Sequence, residues 1–461
     1  MKKLYLIVLL VSFTKAFGQV SSTLLKSKID SILSSEMLIE KAVGVSIGIV
    51  KDGRIWYNKG YGSKKINTNN PIDSLSNFHL ASISKVFVAT AVMQLVEQGK
   101  INLEDKLLKY IPVNENKDER MKDITIKQML THTSGFPDVN NYHWANPKND
   151  SLALGNYAKK CIGTIHLIFT PGARFEYSNM AFEVLGHVIE KVSHKNFDDY
   201  ESGFVLSKAG LSYSNFDYEK IDPSRRSSPH IKVFSNVHVS KIYPYNREHG
   251  PSSTLNSCTY DMCRWIVEML NIYNDQNKTY QGVIKHQTLK QMWSNQQRSF
   301  SLVDSIGLTW DLSKTPLGLC AWHSGGDLGY LSMLVIYPEQ KLGVILLVNG
   351  DYPERLVGLP STISLLVGGK IKNVPIEHLG LLEGEYVSDN APTQAKHPKK
   401  LVIKVENGVL VAIDGSARFK LVALGNNEFL IPQEGVSILF NNKEGQVTGL
   451  TFADFPFKKI K

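Results

Sequence analysis

Cysteine is scarce: Cys161, Cys258, Cys263 and Cys320 are the four in 461 residues. That is too few for a disulfide framework, and their spacing does not make a zinc site. None of the thirteen histidines belongs to a His-Glu-x-x-His pattern, so zinc-protease chemistry has no support, and neither metal nor cofactor is expected. Basic runs never exceed two residues, as at Lys399-Lys400 and Lys458-Lys459. The formal charge of +9 is therefore scattered, which argues against nucleic acid as a partner. No stretch is long enough to span a bilayer, and no internal repeat or low-complexity tract stands out.

What the chain does have begins at its N-terminus. Two lysines, an apolar run from Leu4 to Phe13 and the small-residue site Ala16-Phe17-Gly18 read as a secretory signal over residues 1–18. Export to the periplasm or medium is the expected localisation, with no integral membrane segment after cleavage. The remaining length suits one large domain, 19–370, followed by a small one, 376–461.

The stretch Phe78–Gln98, FHLASISKVFVATAVMQLVEQ, organises the large domain. Its apolar residues run too continuously for a surface helix, so a buried helix beginning near Ser82 and ending at Gly99 is expected. Ser82 and Lys85 would share its first turn, since positions i and i+3 lie on one face. Serine is a weak nucleophile without a base. A lysine held among apolar neighbours loses hydration, its pKa falls, and it becomes that base. A lone Ser-x-x-Lys is weak evidence, because a helix-capping serine beside a solvated lysine looks the same.

Around this stretch the chain alternates in character. Ser22–Lys41 has helical periodicity; Gly44–Lys51 and Arg54–Tyr61 read as a hairpin turned at Asp52-Gly53. A short helix, Ile124–Leu130, precedes Thr131-His132-Thr133-Ser134-Gly135. The middle, Ser151–Ile266, is mostly helical, clearest at Ala181–His194 and Tyr260–Tyr273. Strands return at Gly307–Leu312, Leu331–Tyr337 and Leu342–Val348, and Leu356–Val367 closes as a helix. Helix and strands at both ends around a helical middle imply one sheet assembled from both ends. Past residue 376 the chain is alternating strands with hairpin signals such as Asn407-Gly408, the pattern of a small antiparallel barrel.

Two further elements carry chemistry. In FTPGARFEYSN, Tyr177-Ser178-Asn179 sits where a loop enters a helix; a tyrosine between two cations shares in proton abstraction, and Asn179 both donates to and accepts from a substrate amide. The tripeptide recurs at Tyr213-Ser214-Asn215, without the Pro-Gly turn before it or the amphipathic helix after it. In Trp322-His323-Ser324-Gly325-Gly326 the glycines let backbone approach a substrate, and an N–H there completes an oxyanion hole with that of Ser82.

Ser-x-x-Lys, Tyr-x-Asn and His-Ser-Gly in this order resemble the serine β-lactamase and penicillin-binding-protein superfamily, in particular the class C β-lactamases with their related esterases and D-peptidases. The similar segments include MLTHTSGFPD, GPSSTLNSCTYDM and HSGGDLGYLSMLVIYPEQKLGVILLVNGD. The resemblance implies an α+β fold: a mixed antiparallel sheet flanked by helices with a helical subdomain, plus the C-terminal β-barrel, which looks lipocalin-like. It implies Ser82 as nucleophile, Lys85 and Tyr177 as proton relay, Asn179, His323, Ser324, Gly325 and Gly326 as substrate and oxyanion groups, and the N–H groups of Ser82 and Gly326 at the oxyanion. His323 stands where many β-lactamases carry a lysine, and an imidazole is only partly charged near neutrality. Efficient β-lactam hydrolysis is therefore not expected, only a weak one; the expected activities are ester, D-peptide (carboxypeptidase included) or amide hydrolysis or weak β-lactam hydrolysis, on a small-molecule or peptide substrate, cell-wall peptides included. The alternative is a penicillin-binding-like protein acylated without efficient turnover. An α/β-hydrolase elbow is not expected.

Overall fold

The computed structural model describes residues 22–461 apart from 114–115, 278, 299–304, 373, 389–399, 416, 432–435 and 453–454. The expected signal segment lies outside them. Helix α1 (Ser22–Glu40) leads into the hairpin of β1 (Gly44–Lys51) and β2 (Arg54–Gly62). Asp52 and Gly53 turn it with φ of 54° and 72°, both positive as the tight two-residue hairpin turn requires. Strand β3 (Phe78–His79) and a 3-10 turn, Ala81–Ile83, precede α2 (Ser84–Glu97). Ser82 thus stands on the turn just before the α-helix, not on the helix itself. Every residue of α2 from Ser84 to Leu95 is buried, which accounts for the unbroken apolar run.

The helical lobe follows: α3 (Ile126–Leu130), α4 (Ala153–Thr164), α5 (Asn179–Ser193) and α6 (Phe197–Tyr200), the last continued by a π-helical turn, Glu201–Leu206. After it come the hairpin β4 (His230–Val233) and β5 (Asn236–Val239), α7 (Gly250–Ser253), β6 (Asn256–Ser257), α8 (Thr259–Asn274) and α9 (His286–Met292). β6 pairs with β3 and so anchors the segment before Ser82.

The chain then returns to the sheet with β7 (Gln297–Arg298), β8 (Ser305–Ile306), β9 (Asp311–Thr315), β10 (Gly318–Asp327), β11 (Tyr330–Tyr337) and β12 (Leu342–Val348), and closes with α10 (Leu359–Val367). The strand expected at Gly307–Leu312 starts only at Asp311. Thr309 has a φ of 78°, and the turn it makes buries Leu308 and Trp310 together. The eight strands run β2-β1-β12-β11-β10-β9-β8-β7, so the two ends of the domain meet where β1 pairs antiparallel with β12.

β12 is buried throughout, and its side chains divide by the strand's period of two. Ile345 and Leu347 enter the core shared with α2 and α8; Val344, Leu346 and Val348 enter the one shared with α1 and α10. In the first, Phe87 stacks on Trp265 with ring centroids 4.3 Å apart. Truncating such a ring costs about 3–5 kcal/mol.

Helix α11 (Ile376–Leu381) opens the C-terminal unit of β13 (Gly384–Val387), β14 (Lys400–Glu406), β15 (Val409–Asp414), β16 (Ala417–Lys420), β17 (Val422–Ala423), β18 (Glu428–Ile431), β19 (Val436–Lys443), β20 (Gln446–Phe452) and β21 (Phe455–Lys459). The two edge strands of this nine-stranded sheet, β16 and β17, are joined through Leu421, so the barrel nearly closes. Tyr386, Phe429, Phe440 and Phe457 fill its interior. Leu430 packs into the α1–α10 core and Lys420 reaches Glu36 at 3.5 Å, which sets the barrel on the sheet face opposite α2.

Candidate active site

Ala81 holds a φ of 48°, a left-handed conformation that costs an L-residue roughly 1 kcal/mol or more. That bend turns Ser82 outward, partly exposed between the buried Ala81 and Ile83. Neighbouring elements hold it in place: the Leu80 N–H donates to the Leu255 carbonyl (2.8 Å), and Ser332 Oγ of β11 donates to the Leu80 carbonyl (2.8 Å).

Lys85 is completely buried one turn on. Its Nζ lies 2.9 Å from Ser82 Oγ and donates to the Ser252 carbonyl at 2.7 Å. Burial brings its pKa down from 10.5 to about 8, while the carboxylates of Glu183, Asp327 and Asp138 keep it from falling further. Glu183 sits on α5 beneath this group. It accepts from Ser252 Oγ (2.5 Å), the Ser252 N–H (3.2 Å) and His249 Nδ1 (3.2 Å), and so fixes the short helix α7 whose Ser252 carbonyl orients the amine.

Tyr177 brings the second element to the same place. Lys85 Nζ is 5.1 Å from its ring centre, and burial of the hydroxyl raises its pKa well above the ordinary range, with a hydrogen bond to Ser82 opposing that rise. The ring stacks on His132, centroids 4.3 Å apart. His132 accepts the Ser178 N–H on Nδ1 (3.1 Å), and burial with the nearby Lys85 charge holds it neutral. Ser178 caps α5, and Asn179 is its first residue. The Asn179 amide nitrogen donates to Asp138 Oδ1 at 2.8 Å, so Asp138 occupies donor capacity expected to serve substrate; Asn179 Oδ1 is buried without a partner among the described residues.

The third element lies on β10, which pairs with β9 as far as Trp322 and then runs beside the Ala81–Ile83 turn. Gly325 packs so closely there that a Cβ would stand 2.2 Å from the Leu80 carbonyl and 3.1 Å from the Ser82 nitrogen. Ser324 is half-buried and Gly326 exposed beside it. His323 differs from expectation. It is 3% exposed, and burial together with the Lys85 charge holds its pKa down at about 3, so the ring is neutral rather than partly charged. Among the described residues Tyr177 accordingly has one cation over its ring, Lys85, not the two expected.

The three motifs therefore converge, and the second Tyr-Ser-Asn does not join them. Ser214 and the Tyr213 N–H bind Asp261 at 2.7 Å as a structural anchor. A Gly-x-Ser-x-Gly does occur, Gly44–Gly48, but it lies within β1, where Ser46 is fully buried against Thr259 Oγ1 (2.8 Å) and forms no elbow. Sequence reading assigned no role to His132, although it quoted the segment carrying it, nor to Glu183, one turn after Asn179 on the amphipathic helix α5. His79 and Asp327, paired at 2.8 Å, carried no local signal at all.

An antiparallel sheet packed on a helical lobe, with a serine, a buried lysine and a tyrosine between them, defines the class of β-lactamase-like and penicillin-binding-protein-like serine hydrolase folds. The chain belongs to the Beta-lactamase family, whose model matches residues 29–366. Protein flp of Staphylococcus aureus (strain MRSA252) is 26% identical over 336 residues, covering 72% of this chain and 65% of that protein. Penicillin-binding protein 4* of Bacillus subtilis (strain 168) is 26% identical over 314 residues, 65% of this chain and 66% of that one. The chain thus spans just under two thirds of the length of these relatives. The octameric penicillin-binding protein homologue from Pyrococcus abyssi shares the fold over 94% of this chain and 100% of its own, with a TM-score of 0.61 at 22% identity. SurE shares it over 95% of this chain and 100% of its own, with a TM-score of 0.64 at 17% identity.

Proposed function

We propose that the protein is an exported hydrolase that forms an acyl-enzyme at Ser82 and acts on an ester or amide. The observation that carries this reading is the fully buried Lys85 amine 2.9 Å from the Ser82 hydroxyl. With a pKa of about 8, a substantial share of the amine is unprotonated at mildly alkaline pH. One of its hydrogens stays on the Ser252 carbonyl, and its lone pair takes the Ser82 proton, the Tyr177 hydroxyl relaying it. Ser82 Oγ bonds to the acyl carbon, and the N–H groups of Ser82 and Gly326 hold the oxyanion. As the bond to the alcohol or amine breaks, the leaving group takes the proton back through Lys85 and Tyr177. Water then repeats the sequence and frees the acid, while Asn179 Oδ1 accepts a substrate N–H.

Hydrolysis of p-nitrophenyl butyrate and of D-alanyl p-nitroanilide by the wild type and Ser82→Ala tests this. Turnover of at least one probe is expected, lost in the variant while its melting temperature is kept. Equal rates in both proteins overturn it. Export and a cell-wall peptide as substrate belong to the same proposal; a cleaved N-terminus on protein recovered from the periplasm or medium checks the first.

A further inference from the structure

His323 Nδ1 lies 2.6 Å from the Ser324 carbonyl. A carbonyl only accepts, so the proton sits on Nδ1 and Nε2 carries a lone pair. The ring is 3% exposed beside the Lys85 ammonium, and both facts oppose a second positive charge. His132, buried near the Lys85 charge, is neutral too. The charges acting on the other site groups are carboxylates: Asp138, Asp327 and Glu183 on Lys85 and Tyr142, and Asp311, Asp138 and Asp327 on Tyr177. Lys85 is the cation among these groups, and it is engaged with Ser82 and Ser252.

A substrate carboxylate laid along β10 would thus meet a lone pair and a field of like charge. An uncharged ester or amide is not repelled there, and a substrate N–H or O–H gains an acceptor. We propose that this site selects esters and amides that are uncharged beside the scissile bond and offer a donor to His323 Nε2, and rejects those bearing a free carboxylate there. The inference rests on the Ser82 reading above and narrows its substrate class.

The test compares N-acetyl-D-alanyl-D-alanine with its C-terminal amide, and p-nitrophenyl butyrate as a neutral ester, on the wild type, Ser82→Ala, His323→Lys and His323→Gln. The expected kcat/KM for the amide exceeds that for the acid by about tenfold or more, the ratio a like-charge contact produces. His323→Lys lowers or reverses that ratio, and His323→Gln, which keeps a neutral acceptor, preserves the preference. Melting temperatures identify a variant that has not folded, in which case the wild-type ratio and the remaining variant decide. An acid hydrolysed as well as its amide by the wild type, or a ratio unmoved by a folded His323→Lys, overturns the inference while leaving Ser82 as nucleophile. Turnover unaffected by Ser82→Ala overturns the nucleophile and the inference together.

Discussion

His79 Nε2 donates to Asp327 Oδ2 across 2.8 Å, and this pair clasps the two sides of the proposed oxyanion hole. His79 precedes Ser82 by three residues, and Asp327 directly follows Gly326. His79 is fully buried and Asp327 nearly so, which removes the screening that makes surface pairs weak. Both act through the residues they position. His79→Gln and Asp327→Asn are each expected to lower kcat by about tenfold to a hundredfold with a smaller change in KM, since displacements of about 1 Å at a reacting centre have effects of that size. The double variant should lose little beyond either single one, because both break the same contact. Additive losses, or a change confined to KM, would contradict a shared positioning role.

In the proposed mechanism Lys85 sets the pH dependence. Proton abstraction needs the neutral amine, so kcat/KM for a non-ionising ester should rise with pH through about 8, the value burial gives the amine. Glu183 contributes most to holding the proton on. Glu183→Gln removes that charge, lowers the Lys85 pKa and moves the rising limb to lower pH. A limb that moves upward, or stays in place, contradicts this assignment.

Gly325→Ala probes the third element. Its Cβ would fall 2.2 Å from the Leu80 carbonyl and 2.5 Å from Ser332 Oγ, so β10 must withdraw from the turn that carries Ser82. A loss of about a hundredfold in kcat/KM is expected, larger than any accompanying fall in melting temperature explains. Gly326→Ala, whose Cβ would meet Leu331 Cδ2 at 3.3 Å, should be milder.

Much of this was legible in the chain because local rules and global fold agree. Asp52-Gly53 and Asn407-Gly408 both take positive φ at both positions and turn the hairpins their sequences predict. The apolar run after Lys85 is buried on every side, as its continuity implied. The charge state of His323 was not legible, because it depends on Lys85 and on burial created only by folding. Asp138 was invisible for the same reason, since its claim on Asn179 bridges 41 residues. The strand expected at Gly307 failed because one residue, Thr309, adopts a left-handed φ that β-branched residues rarely take.

Glu201 offers a stability prediction away from the site. It is fully buried in the π-helical turn, both carboxylate oxygens lack a hydrogen-bond partner among the described residues, and burial with the neighbouring Asp198 raises its pKa well above 4.5. The folded protein therefore binds a proton that the unfolded chain releases above about 4.5. Stability should fall as pH rises from there toward the raised value. Glu201→Gln should flatten that slope in denaturant titrations at pH 5, 6.5 and 8; an unchanged slope would show that the carboxyl is ionised or hydrated in the fold.

The most direct measurement of the central proposal is intact mass over time for the protein mixed with an activated ester and, separately, with a penicillin, Ser82→Ala serving as control. An acyl adduct is expected with the ester, formed only when Ser82 is present, mapped to the peptide containing Ser82 and Lys85, and decaying as product accumulates. Product release with adduct formation unchanged in Ser82→Ala, or an adduct mapping elsewhere, would contradict Ser82 as the nucleophile.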